Sequence, residues 1–165
     1  GLGDPYRRLE RYLARLCDGG PVLLPDGGAQ PTRHVYAPDV ARTIAALLGD
    51  ARAFGQAYNL AQDETPSLAE IVRQLAGILG APDRTVAVSR AALEAAGLEP
   101  ATMSPFSGRW MSFLEPRRAE EELGFVHTPL AQYLETIAHA YLAAPPGTPP
   151  PGYELRAMEL ALAGG

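Results

Sequence analysis

The sequence predicts a helix-dominated α/β fold with a few short strands. Several segments carry apolar residues at the i, i+3, i+4 spacing of an amphipathic helix, and short β-prone runs lie between them. Hydrophobic residues make up 47% of the 165 positions, which is enough for one compact core. The strands are too few for a self-sufficient doubly wound sheet, so the pattern is typical of one part of a larger fold.

The first half of the chain contains two of the predicted helices. The first has an apolar stripe of Tyr6, Leu9, Leu13 and Leu16, with Arg15 among the polar residues, and it ends at Gly19. Asp39 is expected to cap the second helix, which would carry Val40, Ile44, Leu47 and Leu48 inward. Short strands are expected at residues 21–24, 34–36 and 57–60, with a turn at residues 26–28.

Residues 67–70, Ser-Leu-Ala-Glu, form a capping box, which is the clearest helix start in the chain. The helix that follows has its apolar residues at helical spacing and ends at Gly80. A strand is expected at residues 85–88, and Ser89 then caps a short helix that ends near Gly97.

The last third begins with an irregular stretch, residues 98–114, that is rich in proline, serine, glycine and aromatic residues. A short helix is expected at residues 117–123, and a long one after Thr128 as cap and Pro129 at its first position. Five prolines in residues 145–152 predict an extended linker. The predicted organisation is therefore a body at residues 1–144, a linker at 145–152 and a terminal helix at 153–165.

The composition excludes several functions. The net charge is −5 and all 14 basic residues are arginines, interspersed with acidic residues rather than clustered, so nucleic-acid binding is not expected. The absence of lysine excludes a Schiff-base nucleophile or a Tyr/Lys proton-transfer pair within this chain. No apolar run approaches a membrane span, and the single Cys17 fits a reducing cytoplasm, so no membrane association and a cytoplasmic location are expected.

Three segments, in this order, resemble the C-terminal part of the extended short-chain dehydrogenases/reductases, the NAD(P)-dependent epimerase/dehydratase family. Residues 33–42, RHVYAPDVAR, are similar to the family's R-D-F-V-x-V-x-D-V-A stretch. Residues 55–60, GQAYNL, with the capping box resemble G-x-x-Y-N-L-G…S-L-x-E-I, and residues 118–125, RAEEELGF, resemble K-A-R-x-E-L-G-F. The opening residues 1–5, GLGDP, resemble the loop after the family's catalytic strand, so the resemblance runs from residue 1 to about 142.

The resemblance implies an extended Rossmann-type fold of which this chain is the C-terminal, substrate-binding portion. The family's glycine-rich dinucleotide loop and Tyr-x-x-x-Lys pair would then belong to a missing half that precedes Gly1. NAD or NADP is expected in the full-length protein and no cofactor on this chain alone, which is therefore expected to be inactive. The implied ligand is a small-molecule substrate, for which a nucleotide sugar is a candidate.

Five residues are the candidates for substrate binding: Arg33, Tyr36, Arg109, Trp110 and Phe113. The family places a phosphate-binding arginine where this chain has Thr32, and a shift of one residue would give that role to Arg33. Arg109 lies in the irregular stretch where the family often has a second such arginine, and a guanidinium beside aromatic rings suits an anionic or ring-bearing ligand. Alternatively, Trp110 and Phe113 fill the core beneath a long loop. Tyr6 is a further candidate for the same cleft.

No catalytic residues and no metal ligands are expected, because the three histidines have unrelated spacings and no Gly-x-Ser-x-Gly motif is present. Two other interpretations stay open. One is a free-standing ligand-binding or protein-interaction module without catalysis. The other is a helical scaffold unrelated to the family, which requires that the short strands do not pair.

Overall fold

The computed structural model describes residues 3–164, and this part of the chain contains eight α-helices and a two-stranded parallel sheet. The elements in chain order are α1 (Arg8–Cys17), β1 (Val22–Pro25), α2 (Ala37–Ala46), α3 (Leu68–Leu79), β2 (Thr85–Val88), α4 (Arg90–Ala95), α5 (Pro100–Met103), α6 (Arg117–Leu123), α7 (Leu130–Ala143) and α8 (Arg156–Gly164). Short 3₁₀ turns lie at Asp26–Gly28, Ala51–Ala53 and Tyr153–Leu155. The predicted helix-dominated α/β class is confirmed.

β1 and β2 pair in parallel, with Val22 opposite Thr85 and Pro25 opposite Val88. All four residues of β1 are buried, as expected for a strand covered on both faces. The strands predicted at residues 21–24 and 85–88 are thus confirmed to within one residue. Because these strands pair, the interpretation as an unrelated helical scaffold is wrong.

The strands predicted at residues 34–36 and 57–60 do not form. Neither segment has regular secondary structure, and within residues 3–164 neither lies beside a strand with which it could share a ladder. A β-strand is stabilised by its partners, so a β-prone sequence alone does not fix the conformation.

The main core is formed where α1, α3 and α7 pack around β1. It consists of apolar side chains that the three helices place on their inward stripes. Its largest fully buried members are Tyr12, Leu13, Leu68, Ile71, Leu75 and Leu134. A second cluster of Leu23, Leu93, Leu98 and Met103 lies on the other face of the sheet, against the C-terminal helix.

Three predicted helix boundaries are confirmed by their caps. Ser67 Oγ accepts a hydrogen bond from the Glu70 backbone N–H, and Glu70 accepts one from the Ser67 N–H, which completes the capping box of α3. Gly80 ends α3 in the left-handed conformation at φ 63°. Ser89 likewise caps α4 through the Ala92 N–H.

The predicted stripe of α1 is wrong at two positions. Tyr6 precedes the helix and is exposed, whereas Tyr12 is buried and donates or accepts a hydrogen bond with Ser104 Oγ at 3.0 Å. Arg15, predicted on the polar side, is buried and paired with Glu159. The ion pair compensates the loss of hydration, so a charged residue can take a core position.

The inward face predicted for α2 is also wrong. Ile44 is 56% exposed and Leu48, just after the helix, is 79% exposed. The fully buried residue of α2 is instead the acidic Asp39. Val40 and Leu47 are half-buried, so within residues 3–164 the apolar side of this helix is only partly covered.

Asp39 and Thr128 do not act as the predicted helix caps. Tyr36 holds the cap position of α2, Pro129 holds that of α7, and the structure shows no side-chain cap at either end. Asp39 accepts hydrogen bonds of 2.7 Å from both the backbone N–H and the hydroxyl of Thr128, and it pairs with Arg42. Burial alone would raise the pKa of Asp39, but these hydrogen bonds and Arg42 lower it. The carboxylate thus joins the start of α2 to the start of α7.

The C-terminal helix packs on the body through a buried ionic cluster. Glu159 accepts from Arg15 Nε at 2.7 Å and from Arg156 Nη1 at 3.0 Å, and Arg156 also donates to both oxygens of Asp18 at 2.7 Å. Gly152, which precedes this helix at φ 82°, lies against Thr102, where a Cβ would be 3.0 Å from the carbonyl oxygen.

The proline-rich segment is anchored to the body by Arg7, which donates to the carbonyls of Thr148 and Pro149 at 2.9 Å. The division into residues 1–144, 145–152 and 153–165 stays a prediction. The first two residues of the opening motif, Gly1-Leu2, and the last residue of the predicted segment 153–165, Gly165, lie outside the described residues.

Candidate functional site

A cavity of about 380 Å³ opens between the start of α1, the segment before α2 and the irregular stretch after α5. Its polar lining comes from Asp4, Arg8, Arg33 and His34. Its apolar lining comes from Leu9, Val35, Tyr36, Pro105, Phe106, Met111, Tyr133 and Ile137. A concave, mostly apolar site with a few converging polar groups is typical of small-molecule binding.

Aromatic rings form much of the cavity wall. Tyr36 stacks on Tyr133 with ring centroids 5.2 Å apart and an interplanar angle of 10°. His34 lies against Phe106 at 4.5 Å, and Phe106 in turn stacks on the buried Tyr12 at 5.9 Å. Each ring is held by a core residue, so the wall is preorganised for a flat or ring-bearing ligand.

The first cation at the cavity is Arg8, which forms a forked ion pair with Asp4. Arg8 Nε donates to Asp4 Oδ2 at 2.9 Å and Nη2 donates to Oδ1 at 3.3 Å. Burial alone would raise the pKa of Asp4, but the hydrogen bonds from Arg8 and from the Tyr6 backbone lower it to about 2. The guanidinium is 5.9 Å from the centre of the Phe106 ring. Sequence analysis did not single out Arg8 or Asp4.

The second cation is Arg33, whose guanidinium contacts three groups. Nε and Nη2 donate to Thr65 Oγ1 at 3.2 and 2.8 Å, and Nη1 donates to the Leu114 carbonyl at 3.1 Å. The guanidinium also lies 5.5 Å from the centroid of the Phe113 ring. Thr32, at the position of the family arginine, is buried and both its backbone N–H and its hydroxyl donate to the Pro66 carbonyl. Arg33 therefore reaches the cavity from a position one residue later in the chain.

His34 is a titratable group of the wall that lies against the buried Tyr133. Tyr133 donates its hydroxyl proton to Gln62 Oε1 at 2.9 Å, so its oxygen accepts from His34 Nδ1 at 3.2 Å. Neutral His34 thus carries its proton on Nδ1, and Nε2 is a buried acceptor without a hydrogen-bond partner in residues 3–164. Burial, with the charge of Arg8, lowers the pKa of His34 from 6.5 to about 4. The imidazole is accordingly neutral at physiological pH.

The structure brings together some of the predicted substrate-binding residues. Arg33 and Tyr36 line the cavity, and Phe113, which is not a lining residue, lies against the Arg33 guanidinium. Arg109 and Trp110 are exposed and do not line the cavity; Trp110 is 93% exposed. The alternative that Trp110 fills the core is therefore wrong, and Tyr6 does not line the cavity either.

The lining residues that sequence analysis did not propose for the site include Asp4, Arg8, His34, Phe106 and Met111. Helical periodicity placed Arg8 on a solvated face, and Phe106 and Met111 lie in a stretch without periodicity. His34 directly follows the candidate Arg33 in the first motif. This adjacency is the sequence signal that could have identified it as a site residue. The described residues contain no group of three or more His, Cys, Asp or Glu suited to a metal ion.

The described part of the chain has no helix long and apolar enough to cross a bilayer. No protein-family model matches the sequence, and no curated protein matches it. Solved structures do match its fold, and these belong to the extended, Rossmann-type short-chain dehydrogenase/reductase class.

UDP-N-acetylglucosamine 4-epimerase from Bacillus cereus matches 86% of the chain at a TM-score of 0.64 and 15% identity, over 42% of its own chain. The dTDP-glucose 4,6-dehydratase DesIV from Streptomyces venezuelae, solved with NAD and TYD bound, matches 80% at 0.58 and 25% identity, over 37% of its own chain. RMD from Pseudomonas aeruginosa, complexed with NADPH, matches 87% at 0.60 and 16% identity, over 43% of its own chain.

These matches confirm, at the level of the fold, the resemblance carried by the three motifs. The chain has the fold of part of an extended short-chain dehydrogenase/reductase, and it spans about two fifths of the length of each of these structures.

Proposed function

We propose that this chain is the substrate-binding portion of an NAD(P)-dependent epimerase, dehydratase or reductase. A dinucleotide-binding portion, carrying the glycine-rich loop and the Tyr-x-x-x-Lys pair, docks on it and supplies NAD or NADP and the hydride chemistry. This chain supplies the cavity that selects the substrate, for which a nucleotide sugar is the first candidate. The protein acts in the cytoplasm, without nucleic acid.

The observation that carries the proposal is the only partly covered apolar side of α2. We define the α2 surface as Ile44, Leu47, Leu48 and Val126; of these, Leu48 and Val126 are 79% and 72% exposed. Leu47 and Val126 line one depression of about 250 Å³, and Arg42 donates to the Val126 carbonyl at 3.0 Å. Exposed apolar surface of this kind marks an interface.

Two further observations favour a dinucleotide-binding portion as the occupant. The chain spans about two fifths of the length of the structures that it matches. The proposed dinucleotide-binding portion corresponds to the remaining part of those structures. The β-prone segments 34–36 and 57–60, which flank α2, belong to no strand ladder within the described residues, although the His34 carbonyl accepts from the Gln62 N–H. A docking sheet would complete their hydrogen bonds and cover α2 at once.

The cavity chemistry supports an anionic, ring-bearing substrate. Arg8 and Arg33 with Asp4 leave one net positive charge at the rim, and the inner wall is aromatic. The guanidinium of Arg33 uses three of its five N–H groups on Thr65 and Leu114, which leaves donors for a phosphate or carboxylate. Arg109 and Trp110 join the site when the docked portion or the substrate draws their segment inward.

Replacing Ile44 and Leu48 together by glutamate tests whether the α2 surface is the exposed interface. A dye that fluoresces on apolar surface is expected to lose most of its signal on the I44E/L48E variant, because two large exposed side chains become charged. Cooperative unfolding is expected to persist, since neither side chain is in the core. The measurement is a dye titration combined with gel filtration.

The matched control is L142E/L160E, which places the same charges at exposed leucines on α7 and α8. We expect the control to retain the dye signal of the unmodified chain. A monomer that binds no dye, or equal signals from both variants, would instead favour a free-standing ligand-binding or interaction module.

A further inference from the structure

We infer that Arg33 is a positioning residue that holds residues 109–114, here called the mouth segment, over the entrance of the cavity. This inference rests on the proposed function for its biological meaning, since it makes the mouth segment the part that decides which ligand enters. It concerns an arrangement within the chain that exists before any ligand binds.

The mouth segment has no regular secondary structure and little other anchorage. Its residues are exposed except for Met111, which is half-buried and lines the cavity. Phe113 and Leu114 are 45% and 44% exposed, so hydrophobic burial does not fix them. Segments with few buried contacts open locally at low free energy.

Arg33 contacts the mouth segment at three points. Its backbone N–H donates to Met111 Sδ at 3.1 Å, its Nη1 donates to the Leu114 carbonyl, and its guanidinium lies against the Phe113 ring. In the described residues these are the hydrogen bonds that tie positions 109–114 to the rest of the chain. The mouth segment is thus held by one residue, Arg33, whose side chain makes two of the three contacts.

The other end of the Arg33 guanidinium is fixed by Thr65, which lies just before the capping box of α3. Thr65 accepts from both Nε and Nη2, so the planar fork cannot rotate without losing two hydrogen bonds. The arrangement connects the rigid start of α3 to the irregular mouth segment through Arg33. A lysine has neither the fork nor the plane and cannot reproduce both contacts.

The single tryptophan of the chain, Trp110, lies in the mouth segment and reports on it directly. In Arg33→Ala we expect lower fluorescence anisotropy of Trp110 and roughly tenfold faster chymotrypsin cleavage within residues 109–114, the increase in local opening that loss of these contacts allows. Arg33→Lys is expected to behave like Arg33→Ala rather than like the unmodified chain. The midpoint of global unfolding is expected to change little, because the guanidinium lies outside the core.

Arg73→Ala is the matched control, since Arg73 is an exposed arginine on α3 whose ion-pair partner is Asp83. Thr65→Val removes the hydroxyl that fixes the Arg33 guanidinium. It is expected to lower the Trp110 anisotropy and to speed cleavage, as Arg33→Ala does. Unchanged anisotropy and cleavage in both Arg33→Ala and Thr65→Val would overturn the inference. Neither measurement needs a ligand. Failure of this inference would therefore not decide the proposed function, which the dye experiment tests separately.

Discussion

Replacement of Glu159 by glutamine is expected to lower the free energy of unfolding by about 3–5 kcal/mol. Glu159 is fully buried and is the shared partner of Arg15 and Arg156. Without its charge, the Arg15 guanidinium remains buried without a counterion, and a buried unpaired charge is among the costliest defects in a protein. Urea denaturation of the purified chain measures the change.

Glu154→Gln is the control, because Glu154 is an exposed residue of the turn that precedes α8. Exposed ionic changes cost about 0–1 kcal/mol. If Glu159→Gln fails to fold, the double variant Arg15→Met with Glu159→Met is expected to recover most of the stability, since it removes both charges. Equal unfolding curves for the Glu159 and Glu154 variants would show that α8 is not anchored by this cluster.

Acidification is expected to destabilise the protein through His34. Its pKa is lowered from 6.5 to about 4 in the folded chain, mainly by burial. Between pH 6.5 and pH 4 the imidazole is protonated in the unfolded chain but neutral in the folded chain. The free energy of unfolding therefore falls as the pH falls. The loss begins near pH 6.5 and reaches about 3 kcal/mol near pH 4.

Comparison of His34→Gln with the unmodified chain isolates this contribution from that of the carboxylates. The variant is expected to show a shallower fall in stability between pH 6.5 and pH 4, whereas the exposed His139→Gln is expected to follow the unmodified chain. Titration of the imidazole by NMR gives the folded-state pKa of His34 directly. A value near 6.5 would mean that His34 is solvated and that the cavity wall is open at this point.

Local signals were sufficient for the elements whose ends are fixed by nearby residues. The capping box at Ser67 and Glu70 and the stop at Gly80 predict α3 correctly, because each end depends on contacts within one helical turn. Ser89 predicts the start of α4 for the same reason. The three ordered motifs identified the fold although the sequence identity to the matched structures is 15–25%.

Long-range contacts account for the errors. Arg15 is buried because it pairs with Glu159, which lies 144 residues later in the chain. Asp39 binds Thr128 instead of capping its own helix. The exposure of the α2 surface has a different cause. The spacing of its apolar residues predicts burial, and we propose that the dinucleotide-binding portion is the element that buries it.

The candidate site was predictable in part. Arg33 and Tyr36 were found because a motif marks them, whereas Phe106 and Met111 reach the cavity through an irregular stretch whose path no periodicity encodes. Arg8 was missed because its helical position indicates solvent, although its pairing with Asp4 draws it to the cavity rim.

The intact mass and peptide map of the native protein test the central claim most directly, which is that this chain works with a dinucleotide-binding portion. The account predicts a mass well above 17.5 kDa, or a firmly associated second polypeptide, with peptides that contain a Gly-x-Gly-x-x-Gly loop and a Tyr-x-x-x-Lys pair. A native protein of 17.5 kDa that purifies without such a partner would contradict it.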